Sequence, residues 1–234
     1  MMLDRRTILA TGVLLAGGRA LAQTAGATPE APAQAEAPAQ AEAPAAADAP
    51  APEAPPAAPA IDQRMTERAA GAPDAPMVVQ EFFSLTCSHC GAFHRDTWPR
   101  VKAELVETGK VRMVWRDFPL DQVALRAHAV ARAFPADRYE PFLNALFTTQ
   151  DRWAYARGVD HKAEIGRIAA LAGMSRAAFE AAWADDDLAR AILAQRQQAE
   201  QEFRIQATPT FVFGRRVVSG NIPFDRFARE AATP

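Results

Sequence analysis

Cysteine is scarce in this chain: two among 234 residues, Cys87 and Cys90, three positions apart. That excludes a disulfide-stapled scaffold, which uses several widely spaced cysteines. A bond between these two closes a very small loop and gains little chain entropy. Aromatic residues are missing from the first third, with no Phe, Trp or Tyr before Phe82. Lys and Arg are absent between Gln23 and Ala60, a stretch holding nine of the eighteen prolines. Such a segment cannot bury enough apolar surface to offset the entropy of ordering it. A strong charge of either sign is also lacking: the formal net charge is −2, so nothing points to nucleic acid or an anionic surface as a partner. No apolar run is long enough to cross a bilayer comfortably. The best, Ile8 to Gly18, falls short of the roughly 20 residues a spanning helix needs.

What that run does carry is the pattern of an export signal. Arg5 and Arg6 precede it, and Ala20-Leu21-Ala22 forms an A-x-A site before Gln23. Residues 1–22 are therefore read as a signal peptide, with an uncleaved anchor or a buried helix as the competing readings. The arginine pair also suits the twin-arginine route, but Asp4 and Thr7-Ile8-Leu9-Ala10 match that pattern only in part, so the route stays open. From Ala31 a six-residue unit recurs as APAQAE, APAQAE and APAAAD. No unit has an apolar face to stack, so residues 23–60 read as an Ala/Pro-rich acidic linker, semi-extended by its prolines, rather than a solenoid. The folded part, 61–234, is long enough for one domain.

Within it, Met77 to Phe83 is a β-rich run preceded by the turn signal Gly71-Ala72-Pro73-Asp74. A helix is expected to open at the cysteines and run toward Thr108, kinked or split at Pro99 and stopped by Gly109. Val111 to Trp115 reads as a second strand, parallel to the first through a right-handed crossover. A long Ala-rich helical stretch follows over about 121–203. Its apolar residues Ile165, Ile168, Leu171, Leu188 and Ile192 recur at helical spacing, and Pro135, Pro141, Gly158 and Gly173 divide it. Thr210 to Phe213 and Arg216 to Ser219 flank Gly214-Arg215 as a hairpin, and Phe224 to Ala232 closes as a helix. The order is β-α-β, a helical insert, then β-β-α: an α/β fold.

Cys87-Ser88-His89-Cys90 thus follows a strand and opens a helix. Free N–H groups and the macrodipole at a helix N-terminus favour an anion. A thiolate at Cys87 is stabilised there, its pKa falling from about 8.5 into the range of roughly 3.5–7.5. A cationic His89 adds to this. A shift of about three units is worth about 4 kcal/mol in favour of the thiolate. Cys90, one turn into the helix, is more shielded. Haem attachment is excluded because position 91 is Gly rather than His. Zinc would need two of His89, His94, His128 and His161 beside the cysteines, and no His-x₃₋₅-His pair lies far downstream. A purely structural disulfide remains the other alternative.

Glu81-Phe82-Phe83-Ser84, then Thr86-Cys87-Ser88-His89-Cys90, and later Ala207-Thr208-Pro209-Thr210-Phe211 together resemble the DsbA-like branch of the thioredoxin superfamily, over about Ala75 to Ala232. The resemblance implies a thioredoxin-like fold, a central sheet flanked by helices, with an inserted α-helical subdomain. It implies that Cys87 attacks and Cys90 resolves as a redox-active pair. Pro209 matches the family's cis-proline beside the cysteines, and Thr208 then presents its backbone to a substrate peptide and its hydroxyl to the Cys87 thiolate. Glu81 matches the buried acid beneath the active site, where a raised pKa lets it relay the proton of Cys90. The competing reading of Glu81 is a solvent-facing strand position. His94 shares the Cys90 face of the helix and reads as a surface or packed histidine. His128 and His161 receive no role, and Trp115, Trp153 and Trp183 read as packing.

The expected function is dithiol–disulfide exchange with unfolded or reduced secreted polypeptides by a periplasmic monomer, without metal or diffusible cofactor. A membrane or soluble redox partner restores the disulfide. The alternatives are an isomerase or reductase of the same family, or a non-catalytic metal- or polypeptide-binding module. No stable membrane insertion of the mature domain is expected.

Overall fold

The structure, a computed structural model, describes residues 62–233; the signal and linker readings over 1–22 and 23–60 lie outside the described residues. Five strands form one sheet in the order β1-β3-β2-β4-β5. They are β1 Arg68–Ala70, β2 Met77–Phe83, β3 Val111–Asp117, β4 Thr210–Phe213 and β5 Arg216–Ser219. β2 and β3 are parallel, as a strand–helix–strand order requires, and β4 runs antiparallel to β2. The edge strand β1, antiparallel to β3, was not expected. Its three residues, Arg-Ala-Ala, carry no β-branched or aromatic side chain, so strand propensity is silent there and pairing with β3 alone defines it.

The strand period of two divides the central strand into faces. Val79 and Phe83 share one face with Met113, Trp115, Phe211 and Phe213 in the main core. Phe82 and Val212 lie on the other with Phe118, Ala199 and Ile205. The main core is completed by Phe93 and Trp98 from the helix after β2 and by Phe227 from α9, Phe224–Ala232. Phe227 sits 5.0 Å from Phe213 and 5.7 Å from Phe211, ring centre to ring centre.

The helix after β2 begins as α1, Ser88–Ala92, and continues as α2, Trp98–Val101, with wide π turns at Phe93–Thr97 and Lys102–Val106. Pro99 has no N–H and its ring crowds the preceding turn, so the chain widens just before it instead of breaking. Gly109, at φ 74°, ends the helix as expected.

The insert comprises α3 Gln122–Arg132, α4 Ala136–Thr148, α5 Gln150–Trp153, α6 His161–Leu171, α7 Arg176–Ala184 and α8 Asp186–Glu202. Acidic or hydroxyl caps start four of these helices: Asp121 accepts from the Ala124 N–H, Asp160 from Ala163, Ser175 from Ala178 and Asp185 from Leu188. Pro135 precedes α4, but Pro141 lies inside it rather than dividing it, because neighbouring packing of Tyr139, Phe142 and Leu143 holds the helix together. Leu171 departs from the apolar stripe and is 90% exposed, whereas Ile165, Leu188 and Ile192 are buried. No helix among the described residues is long and apolar enough to cross a membrane.

Candidate active site

β2 ends at Phe83, and the next residues must turn out of the sheet to start α1. Ser84, Leu85, Thr86 and Cys87 make that turn, closed by the Cys87 N–H donating to the Ser84 carbonyl at 3.1 Å. Cys87 is the N-cap of α1 with extended backbone, φ −81° and ψ 120°. Because β4 pairs with β2, the residues just before β4 arrive beside this turn. The Thr208–Pro209 bond there is cis, and the Cys87 thiol donates to the Thr208 carbonyl at 3.2 Å.

The two sulfurs, present as free thiols, have opposite surroundings. Cys87 retains 9% exposure and Cys90 none. The Cys87 pKa is lowered to about 5, chiefly by a hydrogen bond from the Cys90 thiol. Burial opposes this, while the Thr208 hydroxyl and the backbone N–H groups of Cys90 and His89 add to it. Thr208 Oγ1 is buried and hydrogen-bonds no other group among the described residues, so it is available to the Cys87 sulfur when the thiol proton leaves. Burial pushes the Cys90 thiol well up, and the charges of Cys87 and Glu81 push the same way. His89 is exposed, and what reaches Cys87 from it is the backbone N–H rather than the ring charge expected from the sequence.

Thiolate absorbance of the reduced protein should therefore titrate with a midpoint near 5. A folded pKa below the unfolded one means the thiolate stabilises the reduced fold fully above the unfolded value of about 8.5. That contribution falls with pH and is gone below about 5. A midpoint above about 8 would contradict this geometry.

Glu81 is fully buried, which removes the solvent-facing reading. It stands on the apolar face of β2, paired in register with Trp115 and Phe211. Its partner is His94, whose Nε2 lies 3.1 Å from both carboxylate oxygens. Sequence reasoning placed His94 on the right helix face but gave it only a packing or surface role. Its pairing depends on strand register, which no local pattern reveals. Among the described residues no group of three or more His, Cys, Asp or Glu converges as a metal set.

Several residues that hold the turn come from the insert and were missed. The Gln150 amide donates to the Leu85 carbonyl at 2.7 Å and to the Cys87 carbonyl at 2.9 Å. Thr86 donates to Asp121 at 2.6 Å, and the Tyr155 hydroxyl donates to the Thr86 carbonyl. Gly91 leaves room for this arrangement: a Cβ there would come within 3.0 Å of the Gln150 amide oxygen and the Arg95 guanidinium, and both side-chain ends would have to shift. A second buried cluster lies at the end of β3. Asp117 accepts from Arg132, from Tyr139 at 3.2 Å and pairs with His128 Nδ1 at 2.8 Å. Nothing local in the sequence flagged His128.

Comparison with known proteins agrees with this architecture. A thioredoxin family profile matches residues 63–230. A cysteine-to-alanine double variant of α-DsbA1 from Wolbachia pipientis is 30% identical and superposes with a TM-score of 0.67, covering 71% of this chain and 89% of that one. BdbD of Bacillus subtilis, 19% identical with a TM-score of 0.61, covers 70% of this chain and 90% of its own and shares the fold. A protein of Rickettsia typhi named as a candidate protein-disulfide oxidoreductase is 27% identical over 154 residues, 65% of this chain. The chain spans 56% of the length of that relative. With its parallel β2–β3 pair, helical insert, paired cysteines at a helix start and adjacent cis-proline, the chain belongs to the thioredoxin family, in its DsbA-like branch.

Proposed function

We propose that the protein is an exported thiol–disulfide oxidoreductase that oxidises cysteine pairs in reduced secreted polypeptides through Cys87-Ser88-His89-Cys90. The observation that carries this reading is the asymmetry of the two sulfurs, one acidic and partly exposed, the other buried and protonated. A substrate thiolate attacks Sγ of Cys87 in the disulfide. The Cys87–Cys90 bond breaks, and Cys90 leaves with the electron pair and takes up a proton. A second substrate thiolate attacks the substrate sulfur, and Cys87 departs as a stabilised thiolate. The substrate loses two electrons and the protein gains them. A membrane or soluble redox partner then restores the disulfide.

A stabilised leaving thiolate favours the reduced protein, which makes the disulfide an oxidant. Thr208 beside Cys87 offers a backbone edge to an extended peptide, and Leu120 and Tyr155, about half exposed, flank the turn through their contacts with Ser84 and Thr86. Arg5-Arg6, the apolar run and Ala20-Leu21-Ala22 support export to the periplasm. A redox titration against glutathione tests the direction. A midpoint near about −120 mV, the DsbA value, supports an oxidase, and one near about −270 mV, the thioredoxin value, assigns the site to a reductase or isomerase instead.

A further inference from the structure

Cys90 must gain a proton when the disulfide is reduced and lose one when it reforms, yet neither it nor Glu81 has any exposed surface. One side chain in contact with Glu81, His94, also lines a cleft. Phe83, Phe93, Trp98 and Phe147 surround the His94 ring, with Phe147 stacked on it at 4.3 Å. The stacking fixes the ring plane, and Nε2 is committed to Glu81. The other nitrogen, Nδ1, is buried with no partner among the described residues. His94 also lines a cleft of about 490 Å³ shared with Trp98, Lys102, Glu140, Asn144 and Phe147. Asn144 Oδ1 is a second buried, unpartnered polar atom in that lining. The lining is largely apolar, but Arg95, Lys102, Glu140 and Asn144 supply polar partners, and a cleft of this size with such partners admits water.

We propose that His94 carries protons between Glu81 and water in the cleft between the active-site helix and α4, and so sets the rate at which Cys90 can change its protonation state. This rests on the exchange reaction proposed above. When the disulfide is reduced, water protonates Nδ1, Nε2–H passes its proton to Glu81, and Glu81 passes one to the departing Cys90 sulfur. When the disulfide reforms, Cys90 gives the proton to Glu81, Glu81 gives one to Nε2, and Nδ1 releases its own to the cleft. The two half-reactions move the proton in opposite directions, so the imidazole returns to its starting tautomer without turning over. Charged groups around the ring are Glu81 from β2, Arg95 and Lys102 from its own helix, and Glu140 from α4. Glu140 is held by Lys102 and the Trp98 N–H.

Mixing the reduced protein with glutathione disulfide separates two phases: bimolecular attack by Cys87, then release of glutathione by Cys90. His94→Gln should leave the first phase within about twofold of the parent and slow the second by roughly 10²-fold, the lower range for losing a proton-transfer group. The second phase should respond to D₂O in the parent, and added imidazole should restore it in His94→Ala. A second phase unchanged in His94→Gln overturns the proposal. So does a slowed one that imidazole does not restore and whose D₂O response matches the parent, since the ring is then only packing. If the His94 variants do not fold, Asn144→Leu should slow the second phase alone, and no slowing overturns the proposal. A parent with no first phase defeats the oxidoreductase reading itself.

Discussion

Cys87→Ser should reduce exchange with peptide disulfides by 10⁴-fold or more, on the order seen when a covalent nucleophile is removed. Cys90→Ala should instead retain attack and accumulate a mixed disulfide. The two results differ because the two sulfurs differ. Cys87 reaches the surface, and with a pKa of about 5 it is almost wholly thiolate at neutral pH. Cys90 has no exposed surface and is held protonated, so it acts only on a partner already bonded to Cys87. Mass spectrometry after incubation with a cysteine peptide in its disulfide form checks both. A Cys87→Ser variant as active as the parent, or an adduct on Cys90 in that variant, would assign the attacking sulfur to the wrong residue.

Asp117→Asn should destabilise the domain by about 3–5 kcal/mol, the cost of leaving buried charge without its counter-ion. For a domain of this size that lowers Tm by roughly 6–20 °C. Arg132 is buried and donates to Asp117, and His128 is fully buried against the same carboxylate. Burial alone would raise the Asp117 pKa, but the charges of Arg132 and His128 and their hydrogen bonds outweigh it and hold the carboxyl well below the usual range. A depressed folded pKa contributes stability that is present above the unfolded value of about 3.9 and lost as pH falls toward the folded one. The gap between parent and variant in urea unfolding should therefore be widest near neutrality, begin to narrow below about pH 4 and vanish only well below it. A gap that is constant with pH, or below about 1 kcal/mol, would show that the cluster is not held by this charge.

Two buried acids, Glu81 and Asp117, show how far the chain could be read in one dimension. Glu81 stands in an otherwise apolar strand, and the resemblance singled it out. Asp117 also ends a strand, but it follows Arg116 and reads locally as the polar close of β3. Only the packing of α3 and α4 over that strand end seals it with His128, Arg132 and Tyr139. His94 is similar. Its four-residue offset from Cys90 is plain in the sequence, but its pairing with Glu81 joins a helix face to a strand face, and His94 itself lies within the π turn before Pro99. Gln150, Asp121 and Tyr155 reach the active-site turn from 35 to 69 residues away, and none stands in a local pattern.

Local chemistry by itself determined the strand-to-helix junction at Cys87, the cysteine spacing, the parallel β2–β3 pair and the extent of the helical insert. Each follows from short-range periodicity, capping or turn preference. The tertiary structure alone decided which sulfur is sealed, what partners the buried acids and where a cleft meets the proton-bearing groups. Burial and charge pairing depend on distances between segments far apart in the chain, and those distances exist only once the sheet register and the packing of the insert are set.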